Sequence, residues 1–181
     1  MTTMRSWSGL VAAFGLALSG VLTGAAVPGL ALAGGTSTAY AASVPACAVA
    51  DLNVRKGRLE GAAGSRFQTV RVVNESDHAC ATPGWTRYRF LNRTGLIGFR
   101  SARNPGYDPG KAPVVIHAGQ TVRSVLSWVD PGPVPADRCR ARHATGFRVR
   151  LAGLPGFFRL PIDASVCTTK KYRPHGTRLS H

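Results

Sequence analysis

Four cysteines, Cys47, Cys80, Cys139 and Cys167, and five histidines, His78, His117, His143, His175 and His181, are the residues of this chain best suited to metal or nucleophilic chemistry. Their spacing argues against both. No two cysteines stand at the close separation of a zinc knuckle, and no two histidines are near enough in sequence to share one strand face or helix turn. An even number of cysteines downstream of an apolar leader reads instead as a disulfide framework, which leaves no free thiolate for catalysis. Four cysteines allow three pairings, and the spacing alone does not choose among them. Ser, His and Asp all occur, but no Gly-x-Ser-x-Gly elbow does, and the 8 acidic residues offer no carboxylate pair beside a glycine-rich cleft. We therefore expect no catalytic residue, no metal site and no cofactor, and rank an envelope hydrolase last among the functions considered.

Charge is the more informative chemistry. The chain carries 23 Lys and Arg against 8 Asp and Glu, a formal net charge of +15, and arginine far outnumbers lysine. A composition rich in Ala, Gly, Pro, Val and Arg raises the arginine total without any selection for binding, so distribution matters more than the sum. Arg55, Lys56 and Arg58 form one cluster, Arg138, Arg140 and Arg142 a second, and Lys170, Lys171, Arg173 and Arg178 a third. The second and third are the candidate anion-binding residues. They point to an anionic cell-envelope polymer or membrane surface, held by electrostatics that salt would screen. A protein partner engaged through a sheet edge or an apolar patch is the alternative, and its binding would persist at high salt. Arginine interleaves with aromatics at Trp85 to Phe90 and at Phe157-Phe158-Arg159, a mixture that can stack on bases. Export argues against a dedicated nucleic-acid role, and Tyr88 and Phe90, sharing one strand face, are expected in the core. Trp85 and Trp128 are left open between packing and display.

The elements that must position these residues follow from hydrophobic period. Residues 1–41 read as a signal peptide: Arg5, an apolar run from Leu10 to Leu18, and small residues offering cleavage at Ala31-Leu32-Ala33 or Ala39-Tyr40-Ala41. The product would be secreted, with envelope association as a further expectation. Beyond the leader, apolar and polar residues alternate with a period of two. Tyr88 and Phe90 stand against Arg87 and Arg89, Val122, Leu126 and Trp128 against Arg123 and Ser127, and Phe147, Val149 and Leu151 against Arg148 and Arg150. Further strands are expected at 48–54, 67–73, 96–99, 114–117 and 157–161. Turn signals separate them, including Pro83-Gly84, Thr94-Gly95, Asn104-Pro105-Gly106, Asp108-Pro109-Gly110, Pro131-Gly132-Pro133 and Pro155-Gly156. No helical period is sustained. Seven or eight short strands without intervening helices predict an all-β antiparallel sandwich, whose outward arginines make the sheet surface itself basic. We assign this sandwich to residues 42–169 and a basic C-terminal tail to residues 170–181.

Several short motifs resemble one known family. In order they are Cys47, Asp51-Leu52, the turn Gly61-Ala62-Ala63-Gly64, Val72-Val73-Asn74-Glu75-Ser76, Cys80 with Gly84, and Arg89-Phe90-Leu91. Ala118-Gly119-Gln120-Thr121, Cys139, Phe147-Arg148-Val149 and Cys167 continue the pattern. Together they resemble the domain of unknown function 4232 family, a group of secreted or membrane-attached actinobacterial domains. The resemblance implies an immunoglobulin-like antiparallel β-sandwich with two disulfides, paired sequentially as Cys47 with Cys80 and Cys139 with Cys167. Each bridge would then close a loop of about thirty residues, worth roughly 3 to 4 kcal/mol in the chain-entropy picture. No activity comes with the resemblance.

Overall fold

The computed structural model describes residues 43–104 and 112–181. The expected leader and the turns at Asn104-Pro105-Gly106 and Asp108-Pro109-Gly110 lie wholly or partly outside the described residues. Among the described residues eleven strands follow one another: β1 (Leu52–Ala62), β2 (Ser65–Asn74), β3 (Cys80–Thr82), β4 (Thr86–Asn92), β5 (Gly95–Leu96), β6 (Ala102–Arg103), β7 (Val114–Ile116), β8 (Thr121–Val129), β9 (Ala141–Leu151), β10 (Phe158–Cys167) and β11 (His175–Gly176). A four-residue helix, α1 (Ala136–Cys139), precedes β9, and 3-10 turns occupy Val49–Asp51 and Lys170–Tyr172. The strands form a five-stranded sheet in the order β1-β2-β8-β11-β6, a four-stranded sheet in the order β10-β9-β4-β5, and the small pair β3-β7. Pairing is antiparallel except between β11 and β6.

Local sequence explains the long hairpin that starts the larger sheet. Ala63 and Gly64, the two residues between β1 and β2, have φ of 46° and 74°. Positive φ at both central positions is the type I′ geometry whose twist matches that of paired strands. Alternation then supplies the core. Val70, Val72, Val122 and Leu126 face inward from one sheet, and Tyr88, Phe90, Phe147, Val149 and Leu151 from the other, all of them buried. Tyr88 meets Phe147 edge to face at 6.0 Å, and Phe90 meets Trp128 at 5.4 Å, so Trp128 is a core residue rather than a displayed one. The fold is therefore the expected all-β sandwich. The two disulfides, Cys47–Cys80 and Cys139–Cys167, pair sequentially.

The boundary expected at residue 169 does not hold, because residues 170–181 belong to the sandwich. β11 is inserted between β8 and β6, with His175 opposite Ser127 and Gly176 opposite Leu126. The Leu179 amide donates to the Gly84 carbonyl at 2.8 Å, and the Leu179 side chain is buried in the core. A polar network locks this segment down. The Thr86 and Ser124 hydroxyls both donate to the Thr177 carbonyl, at 2.7 and 2.8 Å, and the Tyr88 hydroxyl donates to Ser124 Oγ at 2.8 Å. Gly176 permits the close approach, since a Cβ there would lie 2.9 Å from the Tyr88 ring.

Candidate anion-binding face

Burying Tyr88 and Phe90 of β4, and Phe147, Val149 and Leu151 of β9, forces the alternate residues of both strands onto the outer face of the four-stranded sheet. Those residues are Arg87, Arg89, Arg148 and Arg150. Register then sets them against each other. Arg89 is directly opposite Arg148, Arg87 is opposite Arg150, and on the far side of β9 Arg148 is opposite Arg159 of β10. Directly opposed side chains in a sheet have Cβ atoms about 5 Å apart, a separation at which like charges destabilise the pairing.

Arg87, Arg89, Arg148 and Arg150, with Arg100, Leu96, Gly156 and Phe157, line an open depression of about 280 Å³. The Phe157 ring lies over the Arg148 guanidinium at 4.0 Å and within 5.5 Å of that of Arg159, which fixes both arginines by cation–π contact. The Arg148 Nε is buried and has no hydrogen-bond partner among the described residues. An array of planar forked donors such as this is suited to phosphate, sulfate or carboxylate oxygens.

The carboxylates that pair with arginine lie elsewhere. Glu75 bonds Arg55 at 3.1 Å, Glu60 bonds Arg58 at 3.2 Å and Asp130 bonds Arg66 at 2.8 Å, all on or beside β1, β2 and β8. The Gly132 amide, then the Arg66 side chain, hold the Asp130 carboxyl below its ordinary pKa. The outer face of the five-stranded sheet has its own row, Arg55 opposite Arg71 opposite Arg123, but Glu75 and Asn53 engage its first member. Among the described residues, no ion pair engages Arg87, Arg89, Arg100, Arg148, Arg150 or Arg159.

The candidate anion-binding residues named from sequence are distributed differently. Arg138 and Arg140 flank Cys139, and the Thr169 and Thr168 hydroxyls donate to their carbonyls, each at 2.7 Å. With the Cys139–Cys167 bridge, these bonds bring the second and third sequence clusters to one rim, where Arg138, Arg140, Arg142, Lys170, Lys171 and Arg173 are all exposed. Arg178 is the exception. Its side chain is 5% exposed, with Nε directed at the Pro83 carbonyl at 3.4 Å, so it is not part of a basic surface. Trp85 is likewise buried, and the Arg103 guanidinium sits over its ring at 4.6 Å. Clustering along the chain does not single out Arg87, Arg89, Arg100, Arg148, Arg150 and Arg159, although the Arg-x-Arg alternation of β4 and β9 carries the signal.

A family model described as a domain of unknown function, DUF4232, matches residues 47–175. The chain belongs to this family. No curated protein and no solved structure matches the chain. The DUF4232 match takes in both disulfides and all six arginines of the four-stranded sheet, and it ends on the first residue of β11. Family membership thus covers the scaffold of the basic face and attaches no activity to it.

Proposed function

We propose that this DUF4232 protein is a non-enzymatic, exported binding module that attaches through its arginine face to anionic groups of the cell envelope. Two disulfides suit an oxidising compartment. No helix among the described residues is long and apolar enough to cross a membrane. The observation that carries the reading is the row Arg89, Arg148, Arg159, with Arg87 and Arg150 beside it. Directly opposed like charges weaken a sheet, and an anion seated between them would reverse the sign of that interaction. The rim formed by Arg138, Arg140, Arg142, Lys170, Lys171 and Arg173 extends the same field.

Addition of a partner strand at a sheet edge is less well supported. Edge strand β1 carries Lys56, Arg58 and an irregularity between Lys56 and Leu59, and edge strand β10 carries Pro161, Asp163 and an irregularity between Pro161 and Ala164. Charges, proline and bulges are devices that discourage edge pairing. The test is fractionation of the native protein between medium and envelope across a salt series, with an Arg89→Glu/Arg150→Glu double variant alongside. Release of the wild type by salt, and loss of retention in a variant with an undiminished thermal midpoint, is the expected result. Retention of the variant, or retention of the wild type at high salt, overturns the proposal.

A further inference from the structure

Resting on the anion-binding reading above, we infer that the occupant of the arginine face is the surface of an anionic lipid bilayer, with Leu96 and Phe157 entering the headgroup region among the arginines. Leu96 and Phe157 are 38% and 43% exposed, two of the few large apolar side chains that the described residues leave in solvent. Both line the depression that the arginines form. Their order across the sheet is informative. Leu96 on β5 lies on one flank, Arg89 and Arg148 occupy the middle, Phe157 covers Arg148, and Arg159 stands beyond on β10. Phe99, 45% exposed, lies in the connection that runs from Leu96 to Arg100.

A wholly polar polyanion would satisfy the guanidinium groups and leave Leu96 and Phe157 facing water. A phospholipid surface satisfies both, because phosphate oxygens lie at the depth where arginine forks reach them and the adjacent acyl boundary accepts aromatic and aliphatic side chains. Alternating cation and apolar side chain is the pattern of surfaces that lie on a membrane rather than span it.

Sedimentation of the whole protein with phosphatidylcholine vesicles, with and without phosphatidylglycerol, tests this beside binding to soluble polyphosphate. The wild type is expected to bind the mixed vesicles and not the neutral ones. Leu96→Ser/Phe157→Ser should weaken vesicle partition about tenfold, and Leu96→Ser, which keeps the Phe157 contacts to Arg148 and Arg159, should weaken it about threefold while leaving polyphosphate binding unchanged. Arg89→Glu/Arg150→Glu should weaken both, by at least about fivefold per arginine. If the apolar double variant partitions like the wild type, the membrane assignment is wrong and a polar polyanion is the occupant. If the arginine variant loses neither ligand, the anion-binding reading itself fails. Single Leu96→Ser replaces the double variant should thermal melts show that the pair of changes disturbs folding.

Discussion

Neutralising one arginine of the row should make the protein more stable and less able to bind. Arg89 is the informative position, because it is exposed, faces Arg148 directly, and has Arg87 and Arg150 as its next neighbours on the same face. Two unit charges about 5 Å apart in water repel by roughly 0.8 kcal/mol, and splaying of the two guanidinium groups lowers this to about 0.5. The diagonal and same-strand neighbours, at about 7 Å, add a comparable amount at low ionic strength. Arg89→Gln is therefore expected to gain about 1 kcal/mol, which raises the melting midpoint of a domain this size by about 3 °C. The gain should shrink as salt is added, since screening removes the repulsion in the wild type as well. Arg55→Gln is the control: Arg55 has Glu75 as a partner at 3.1 Å, so its removal should leave the midpoint unchanged or slightly lower. Thermal melts of both variants at low and high salt, with vesicle binding measured in parallel, decide the matter. An Arg89→Gln midpoint below that of the wild type, or a rise indifferent to salt, would refute the claim that the row is held under repulsion.

Gly176→Ala should destabilise the fold by about 1 to 3 kcal/mol in chemical denaturation, because the new methyl would lie 2.9 Å from the Tyr88 ring and 3.0 Å from the Thr86 carbonyl. A wild-type denaturation midpoint in that variant would mean β11 does not lie flush on β4. Burial pushes the Tyr88 hydroxyl up to about 12, against the opposing effect of its Ser124 and Thr86 partners. Its neutral form is the one the fold favours, so the stability it supplies is intact below the ordinary tyrosine value and is lost as pH rises through about 12. An ultraviolet titration should show this late ionisation in the wild type and lose it in Tyr88→Phe. Asp130 shifts in the other sense: its stabilising contribution is present above the ordinary carboxylate value and fades as pH falls through the lowered one. Arg66→Gln should raise the Asp130 pKa only partway back, as read by carboxyl NMR, because the Gly132 amide still donates to its Oδ1 at 3.1 Å.

Strand alternation was legible because each long strand has one buried face. On one face β4 carries Tyr88 and Phe90, β8 carries Val122, Leu126 and Trp128, and β9 carries Phe147, Val149 and Leu151, and all of those residues are in the core. The C-terminal segment was not, for a physical reason. Pro174-His175-Gly176-Thr177-Arg178-Leu179 has one large apolar side chain, and what holds it is a set of hydroxyl to carbonyl bonds to Thr86 and Ser124, more than fifty residues away in sequence. Likewise the Arg-x-Arg pairs of β4 and β9 are plain in the sequence, but their mutual register comes only from the sheet order β10-β9-β4. Sequence clustering instead favoured residues that are close along the chain, and so included Arg178, which the same C-terminal bonds carry into the interior.

Compositional bias accounts for many arginines but not for where the carboxylates sit. Bias acting alone would scatter the acidic residues among the basic ones in proportion to surface. Here Glu60, Glu75 and Asp130 each bond an arginine on or beside β1, β2 and β8, and Asp77 and Asp163 each lie beside a histidine. Two registered strand pairs meanwhile set arginine against arginine with only Phe157 and Leu96 between and beside them. A face that is costly to the free protein, and that places its apolar groups in water as well, gains on both counts from one kind of occupant: a surface that is anionic at its boundary and apolar just beneath it.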